Sequence, residues 1–156
     1  MLSALSYVAD AGTLTFAVGT ATGPYRVQEF TFDPEVSGDD IPMMEATGQW
    51  PAYRRVRRMS IAIEGVIAGT STTDYWTQRA AMMNVVLPDQ GSGQPIVQGT
   101  VYATFPGQSE VYAPAVLADY SLPLKTDQVT SGRYQLVFTN DYGYWRAVSG
   151  DAVVKL

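Results

Sequence analysis

The sequence contains no cysteine and no histidine among its 156 residues. These absences exclude thiol nucleophiles, thiolate and imidazole metal ligands and the Ser-His-Asp triad, and they remove the usual proton carrier near neutral pH. Neither common glycine-rich phosphate loop occurs, because the clusters GTATG and GSGQP lack the required spacing and a following Gly-Lys-Ser/Thr. We therefore expect a protein that is not an enzyme and that binds no metal or cofactor.

Charged residues are also scarce, at 16% of the chain, and the net charge is −5. Neutralising nucleic-acid phosphates requires a surplus of Lys and Arg, so a general nucleic-acid binder is excluded. One acidic cluster, Asp39, Asp40 and Glu45, could support glycoside hydrolysis by paired carboxylates. In a Pro- and Gly-rich stretch, however, such a cluster is more often solvated surface.

Long apolar runs are absent too, since none approaches the roughly 20 residues that span a bilayer. The start, MLSALSYVADAG, lacks the basic region of a secretory signal. We expect a soluble protein made in the cytoplasm, without membrane insertion. What is present is 46% hydrophobic residues with 10 Tyr, 14 Gly and 9 Pro, which indicates strands joined by turns in a single domain over residues 1–156.

The clearest pattern lies in residues 59–87. Residues 59–67 alternate between apolar and small or polar positions, as a half-buried strand does. The turn AGTSTT follows, and the pattern then predicts a helix over about residues 73–87, which Pro88 ends. The stripe predicted to face the sheet has helical spacing and consists of Trp76, Ala80, Met83 and Leu87.

Other runs predict further strands with short, mostly antiparallel connections. These are 13–18 and 25–33, which we expect to form a hairpin, then 96–105, 111–122 and 133–139. The last run alternates, with Tyr134, Leu136 and Phe138 predicted to face inward. Together with the helix they predict an α+β domain. Its helix covers a mostly antiparallel sheet that is open or a split barrel.

Residues 34–52 contain three prolines and no sustained period, which predicts a long connection. It either packs on its own domain or on a neighbouring subunit. The run YRRVRR, residues 53–58, follows and carries four of the ten basic residues. As a nucleic-acid contact the run is weak, because nothing basic accompanies it elsewhere in the chain. It is otherwise a solvated strand extension or a set of Arg partners for carboxylates of a neighbouring subunit, such as Asp33, Glu35, Asp39 or Asp40.

The end of the chain is rich in aromatic residues. Tyr142, Tyr144 and Trp145 lie close together around Gly143. Three such rings need a partner to bury them. They either dock onto their own sheet or anchor a subunit interface, where Tyr and Trp are enriched.

In order, these signals resemble the distal tail protein family of long-tailed bacteriophages and phage-like particles. The segments that carry the resemblance are MMEATGQW (43–50), YRRVRRMSIAIEGVIAG (53–69), TDYWTQRAAMMNVVL (73–87) and RYQLVFTNDYGYW (133–145). Residues that match the family in type are Gly48, Arg57 or Arg58, Gly65, Arg79, Phe138, Asp141, and Tyr144 with Trp145. The sequence departs from the family in DYGYW, which lacks the proline common between the acidic and aromatic residues.

The resemblance implies a structural protein that forms a homo-oligomeric ring, a hexamer, at the distal end of the tail. Such a ring joins the tail tube above to a tip or baseplate protein below and passes DNA through its lumen without binding it specifically. The protein would lie in the virion tail, and in the host cytoplasm during assembly. A tail tube or tail terminator ring protein is an alternative, and a monomeric carbohydrate- or peptide-binding module is an alternative from another class.

For a ring protein, the residues of interest are those between subunits. From the arginine run, the acidic connection and the aromatic end, the predicted subunit interface comprises Asp39, Asp40, Met43, Met44, Trp50, Arg54, Arg55, Arg57, Arg58, Tyr144 and Trp145.

Overall fold

A computed structural model describes residues 2–42, 49–88, 96, 98–125 and 130–156, with 37–42 and 49–57 described by their backbone path. The strands are β1 Ala4–Ala9, β2 Gly12–Phe16, β3 Tyr25–Pro42, β4 Gln49–Ala68, β5 Gly99–Thr104, β6 Val111–Ser121, β7 Ser131–Asn140, β8 Trp145–Ala147 and β9 Val153–Val154. The helix α1 is Thr72–Val86. No helix in the described part of the chain is long and apolar enough to cross a membrane.

The main sheet runs in the order β2-β1-β5-β6-β7-β4-β3, with every neighbouring pair antiparallel. Beside this path, β8 pairs with β6, and β9 pairs with β8. In the described residues, the two ends of the order are linked by an isolated parallel bridge between Ala17 and Arg26 and not by a continuous ladder, so the sheet is not a closed barrel. The prediction of a mostly antiparallel sheet with one helix is confirmed.

The centre of the core lies between β4 and β7. Ile61 lies opposite Phe138, and Ile63 lies opposite Leu136. All four side chains are 0% exposed, and full burial of a side chain of this size stabilises the fold by about 1.5–3 kcal/mol. The alternation predicted for these two strands is therefore confirmed.

Helix α1 begins at a side-chain cap. The backbone N–H of Asp74 donates to Ser71 Oγ at 3.1 Å, which satisfies one of the free donors of the first turn. The Asp74 carboxylate in turn accepts from the backbone N–H of Thr70 at 2.8 Å. That hydrogen bond, followed by one from the Gln78 side chain, lowers the pKa of Asp74. The helix spans 72–86, one residue earlier at each end than predicted.

The predicted buried face of the helix is wrong. Trp76 is 49% exposed and Ala80 is exposed, while Met83 and Leu87 are half-buried. The residues that the helix buries are instead Tyr75, Met82 and Val86. The true stripe therefore lies one position earlier along the helix.

The reason for the shift is a charged residue within the buried stripe. Positions 75, 79, 82 and 86 have the same helical spacing as the predicted set, but Arg79 interrupts their apolar character. In the fold, Arg79 is half-buried and its Nη2 donates to the Leu122 carbonyl at 2.8 Å.

Two glycines leave the space that Tyr75 occupies. A Cβ at Gly132 would lie 2.4 Å from the Tyr75 hydroxyl oxygen, and a Cβ at Gly69 would lie 2.5 Å from the Tyr75 backbone nitrogen. Any side chain at either position would therefore collide with Tyr75.

Two further predictions about the strands are also wrong. β2 pairs with β1 rather than with β3, which places residues 13–18 and 25–33 in different hairpins. The region 34–52 is not a long connection, since β3 continues to Pro42 and β4 begins at Gln49. The prolines of this region are compatible with strand formation, because β3 is an edge strand along its length and β4 becomes one before Met59, and proline is tolerated on edge strands.

Candidate assembly surface

The long hairpin of β3 and β4 extends beyond the sheet. β7 pairs with β4 only from Met59 to Ala68, whereas β3 pairs with β4 as far as Pro42 and Gln49. We call residues 35–42 and 49–58 the arm. At ~3.3 Å per residue, the eight residues on its β3 side reach about 26 Å beyond the sheet.

Both sides of the arm are free edges. In the part of the chain that the structure describes, neither β3 nor β4 has a ladder partner there other than the opposite strand of the arm. Where side chains are described, they lie in solvent: Val36 is 58% exposed, and Glu35 and Arg58 are also exposed. The arm therefore presents open backbone donors and acceptors along two edges, as a template for further strand pairing.

At the base of the arm, Glu35 and Arg58 lie directly opposite each other. Arg58 Nε lies 3.9 Å from Glu35 Oε2, and both side chains are 60% exposed. An exposed ion pair of this kind contributes at most about 1 kcal/mol. The pairing is irregular beyond this contact, because the register shifts between Glu35 and Val36 and again between Ser37 and Asp39.

A groove lies beside the base of the arm, and Asn140 positions its far wall. Asn140 is 0% exposed and its Nδ2 donates to the Pro114 carbonyl at 2.6 Å. Its Oδ1 accepts from the backbone N–H groups of Tyr142 at 3.1 Å and Gly143 at 2.7 Å. A single buried amide thus turns the chain at the end of β7 and directs the aromatic segment toward the arm.

The groove has a volume of about 390 Å³. It is lined by Phe32, Pro34, Met59, Tyr142, Gly143, Tyr144, Trp145, Val153, Val154, Lys155 and Leu156. Tyr142, Val153 and Leu156 on its rim are large apolar side chains that are 49–55% exposed. The sequence analysis identifies Tyr142 among the aromatic residues that need a partner, but it does not identify Val153 or Leu156.

Trp145 and Tyr144 have different surroundings. Trp145 is 2% exposed, and its ring packs against Phe32 at 5.7 Å and Phe105 at 5.9 Å between centroids. It therefore belongs to the core of its own chain. Tyr144 is half-buried, and its hydroxyl accepts from Arg146 Nη2 at 3.0 Å.

The other predicted interface residues lie on the arm. Asp39 and Asp40 are on its β3 side, and Trp50, Arg54, Arg55, Arg57 and Arg58 are on its β4 side. Met43 and Met44 lie outside the described residues. The backbone thus brings the acidic and basic segments of the prediction together in one hairpin.

Among the residues that the structure describes, no cluster of three acidic side chains is placed to hold a metal ion. A polar cavity of about 200 Å³ lies beside Tyr134, where burial raises the pKa of the phenol, and the Gln135 amide donates to Glu64 Oε1 at 2.6 Å. The Tyr134 hydroxyl donates to the Arg26 carbonyl at 3.3 Å, so the tyrosine and the Gln135–Glu64 pair are each held by a hydrogen bond within the chain.

Comparison with known proteins gives little direct guidance. No protein-family model and no curated protein matches this chain. A solved chain from the tail of an empty GTA particle with C6 symmetry is 12% identical with a TM-score of 0.49, and the match covers 94% of this chain and 96% of that chain. A chain from the virion of a native gene transfer agent particle is 13% identical with a TM-score of 0.46, covering 87% and 89%. Sequence identities and TM-scores this low assign no function to the chain.

Proposed function

We propose that this protein is a structural subunit of a phage or phage-like tail and that it works by assembling with copies of itself into a ring. The observation that carries the proposal is the arm, which has two free edges. A two-stranded hairpin alone is marginally stable in water, and three or more strands or packing against another element are needed for independent stability. An arm of about 26 Å is therefore best explained as a segment that pairs with another chain.

In the proposed assembly the ring is a hexamer at the distal end of the tail, between the tail tube and a tip or baseplate protein. Its role is mechanical and it performs no chemistry. The net charge of −5 suits a lumen that passes DNA without holding it, because like charges repel the phosphate backbone. The same arm would serve a tail tube or tail terminator ring. The residues we propose for the subunit contact are Asp39, Asp40, Met43, Met44, Trp50, Arg54, Arg55, Arg57, Arg58 and Tyr144.

A monomeric binding module is the second candidate, and the groove is the observation that favours it. Exposed aromatic residues such as Tyr142 beside a groove of about 390 Å³ could hold a sugar or a peptide. The two candidates differ in which surface is essential. A ring needs the arm, whereas a binding module needs the rim of the groove.

The test is removal of the arm at a position that the register provides. Because Glu35 and Arg58 lie opposite each other, replacing residues 36–57 by Asn-Gly should close the hairpin with a two-residue turn. We expect the wild type to sediment as an oligomer and to show rings in negative stain, and the shortened variant to be a folded monomer. Tyr142→Ala, the matched change in the groove, should leave assembly unaltered. A wild type that stays monomeric at high concentration would refute the ring.

A further inference from the structure

Charge on the arm is separated by strand. From Asp33, two residues before the arm, to Pro42, β3 carries four carboxylates and no basic residue. From Gln49 to Arg58, β4 carries four arginines and no acidic residue. The acidic residues are Asp33, Glu35, Asp39 and Asp40, and the basic ones are Arg54, Arg55, Arg57 and Arg58. One edge of the arm is thus negative and the other positive.

The register leaves most of these charges without a directly opposite partner. Glu35 lies opposite Arg58, but Asp39 lies opposite Ala52, Asp40 opposite Pro51, and Arg55 opposite Ser37. If the charges served to join the two strands of the hairpin, opposite signs would be expected at opposed positions, because directly opposed pairs are the ones that stabilise a ladder. Beyond Glu35 and Arg58, the arm lacks that arrangement.

The edges are complementary to each other in a second copy. Two β4 edges side by side would place arginines against arginines, and two β3 edges would place carboxylates against carboxylates, which is unfavourable. A β3 edge beside a β4 edge brings opposite charges together. If all arms point the same way, that contact is also antiparallel, as it is within each hairpin.

We propose that the β3 edge of one arm pairs with the β4 edge of the next copy, so that the arms join into one continuous sheet. Such a contact is heterologous, because it uses two different surfaces of each chain. It repeats in one rotational sense and so forms a ring when the rotation closes, whereas a two-fold dimer would need the same surface on both copies. This inference rests on the proposed function. It specifies which strands meet and what selects the partner edge.

A mixing experiment separates this contact from a role of the charges within one chain. The acidic-arm variant carries Arg54→Glu, Arg55→Glu and Arg57→Glu, and the basic-arm variant carries Asp39→Arg and Asp40→Arg. Both leave the pair of Glu35 and Arg58 intact. Each variant alone has like charges on both edges, so we expect half-assembly to need a roughly tenfold higher concentration, or assembly to be lost.

An equimolar mixture of the two variants should restore assembly, because acidic and basic arms can alternate around the ring. Within each chain the like charges remain, so a role confined to the hairpin would not be restored by mixing. Analytical ultracentrifugation gives the mass, and circular dichroism of each variant checks the fold. The difference between variants and wild type should also shrink at 1 M salt, where the Debye length is about 3 Å.

Two results would overturn the edge-to-edge contact. One is assembly of each variant alone at the wild-type concentration, and the other is a mixture that stays dissociated although both variants are folded. In both cases an oligomeric wild type would leave the proposed function standing. A monomeric wild type, by contrast, would remove the proposed function itself and this inference with it.

Discussion

The same two strands, β3 and β4, pass through two different environments. In the body of the sheet, β4 lies between β3 and β7, and Ile61 and Ile63 are 0% exposed. In the arm, β4 has β3 as its ladder partner on one side and an open edge on the other, and Arg58 and Val36 are exposed. One half of the hairpin is held by burial and the other by its ladder of hydrogen bonds.

This difference shows that two segments with the same strand conformation can be stabilised to different extents. Burial accounts for the body, because each large apolar side chain removed from water contributes about 1.5–3 kcal/mol. The net gain from a hydrogen bond that replaces one to water is only about 0.5–1.5 kcal/mol. The arm therefore has less to stabilise it within its own chain than the body has.

The largest expected effect lies in the body. Phe138 is 0% exposed and packs on Tyr7 with ring centroids 4.6 Å apart. Phe138→Ala should lower the free energy of unfolding by about 3–5 kcal/mol. Val36→Ala in the arm should change it by no more than about 0.5 kcal/mol. Urea unfolding of both variants measures the contrast, and comparable losses would show that the arm is part of the folded body.

The second prediction concerns two adjacent methionines of α1. Met82 is 0% exposed and Met83 is half-buried. Met82→Ala should reduce the free energy of unfolding by about 2–5 kcal/mol. Met83→Ala should reduce it by about 1 kcal/mol, as an average substitution does. If thermal or urea unfolding showed a larger loss for Met83→Ala than for Met82→Ala, the helix face predicted from the sequence would be the buried one.

The smallest effect is the pH dependence of the helix cap. The hydrogen bond from the Thr70 backbone holds the pKa of Asp74 below its usual 3.8, so the ionised carboxylate favours the folded state. That contribution is complete above the usual pKa and is lost as the pH falls through the lowered one. Asp74→Asn should thus lower the Tm near neutral pH, and the difference from wild type should vanish in strong acid.

Ser71→Ala provides the control for this prediction. The Ser71 hydroxyl accepts from the Asp74 backbone N–H but does not titrate. Its loss should therefore reduce stability by about 1 kcal/mol at every pH. A Tm difference for Asp74→Asn that stays constant into strong acid would show that the cap does not depend on the charge of Asp74.

The sequence predicts the buried positions correctly where a periodic pattern has a single interpretation. The alternation in β4 and in β7 placed Ile61, Ile63, Leu136 and Phe138 in the core correctly. The helix was predicted within one residue at each end, but its face was not, because the buried stripe contains Arg79. A charged residue that reaches a backbone acceptor cannot be distinguished from a solvated one without the fold.

The partner of each strand was harder to predict than the presence of the strand. β1 and β2 are joined by two residues, with Ala9 opposite Gly12, and this short closure gives β2 its partner. The runs that predict strands do not include the residues of β1. The arm lies in a region whose prolines predict a loop, although its acidic and basic residues are among those predicted for the subunit interface. Trp145 could not be separated from Tyr144 in sequence, since Phe32 and Phe105, which bury it, are distant in the chain.

The continuity of β4 has a mechanical consequence. The strand passes from the arm into the sheet, where ten consecutive residues, Met59 to Ala68, pair with β7. A pull along the arm would load these hydrogen bonds in shear, all together, rather than opening them one after another. The load would be shared along the whole β4 and β7 ladder, so the arm can act as a tether that transmits tension into the most deeply buried part of the chain.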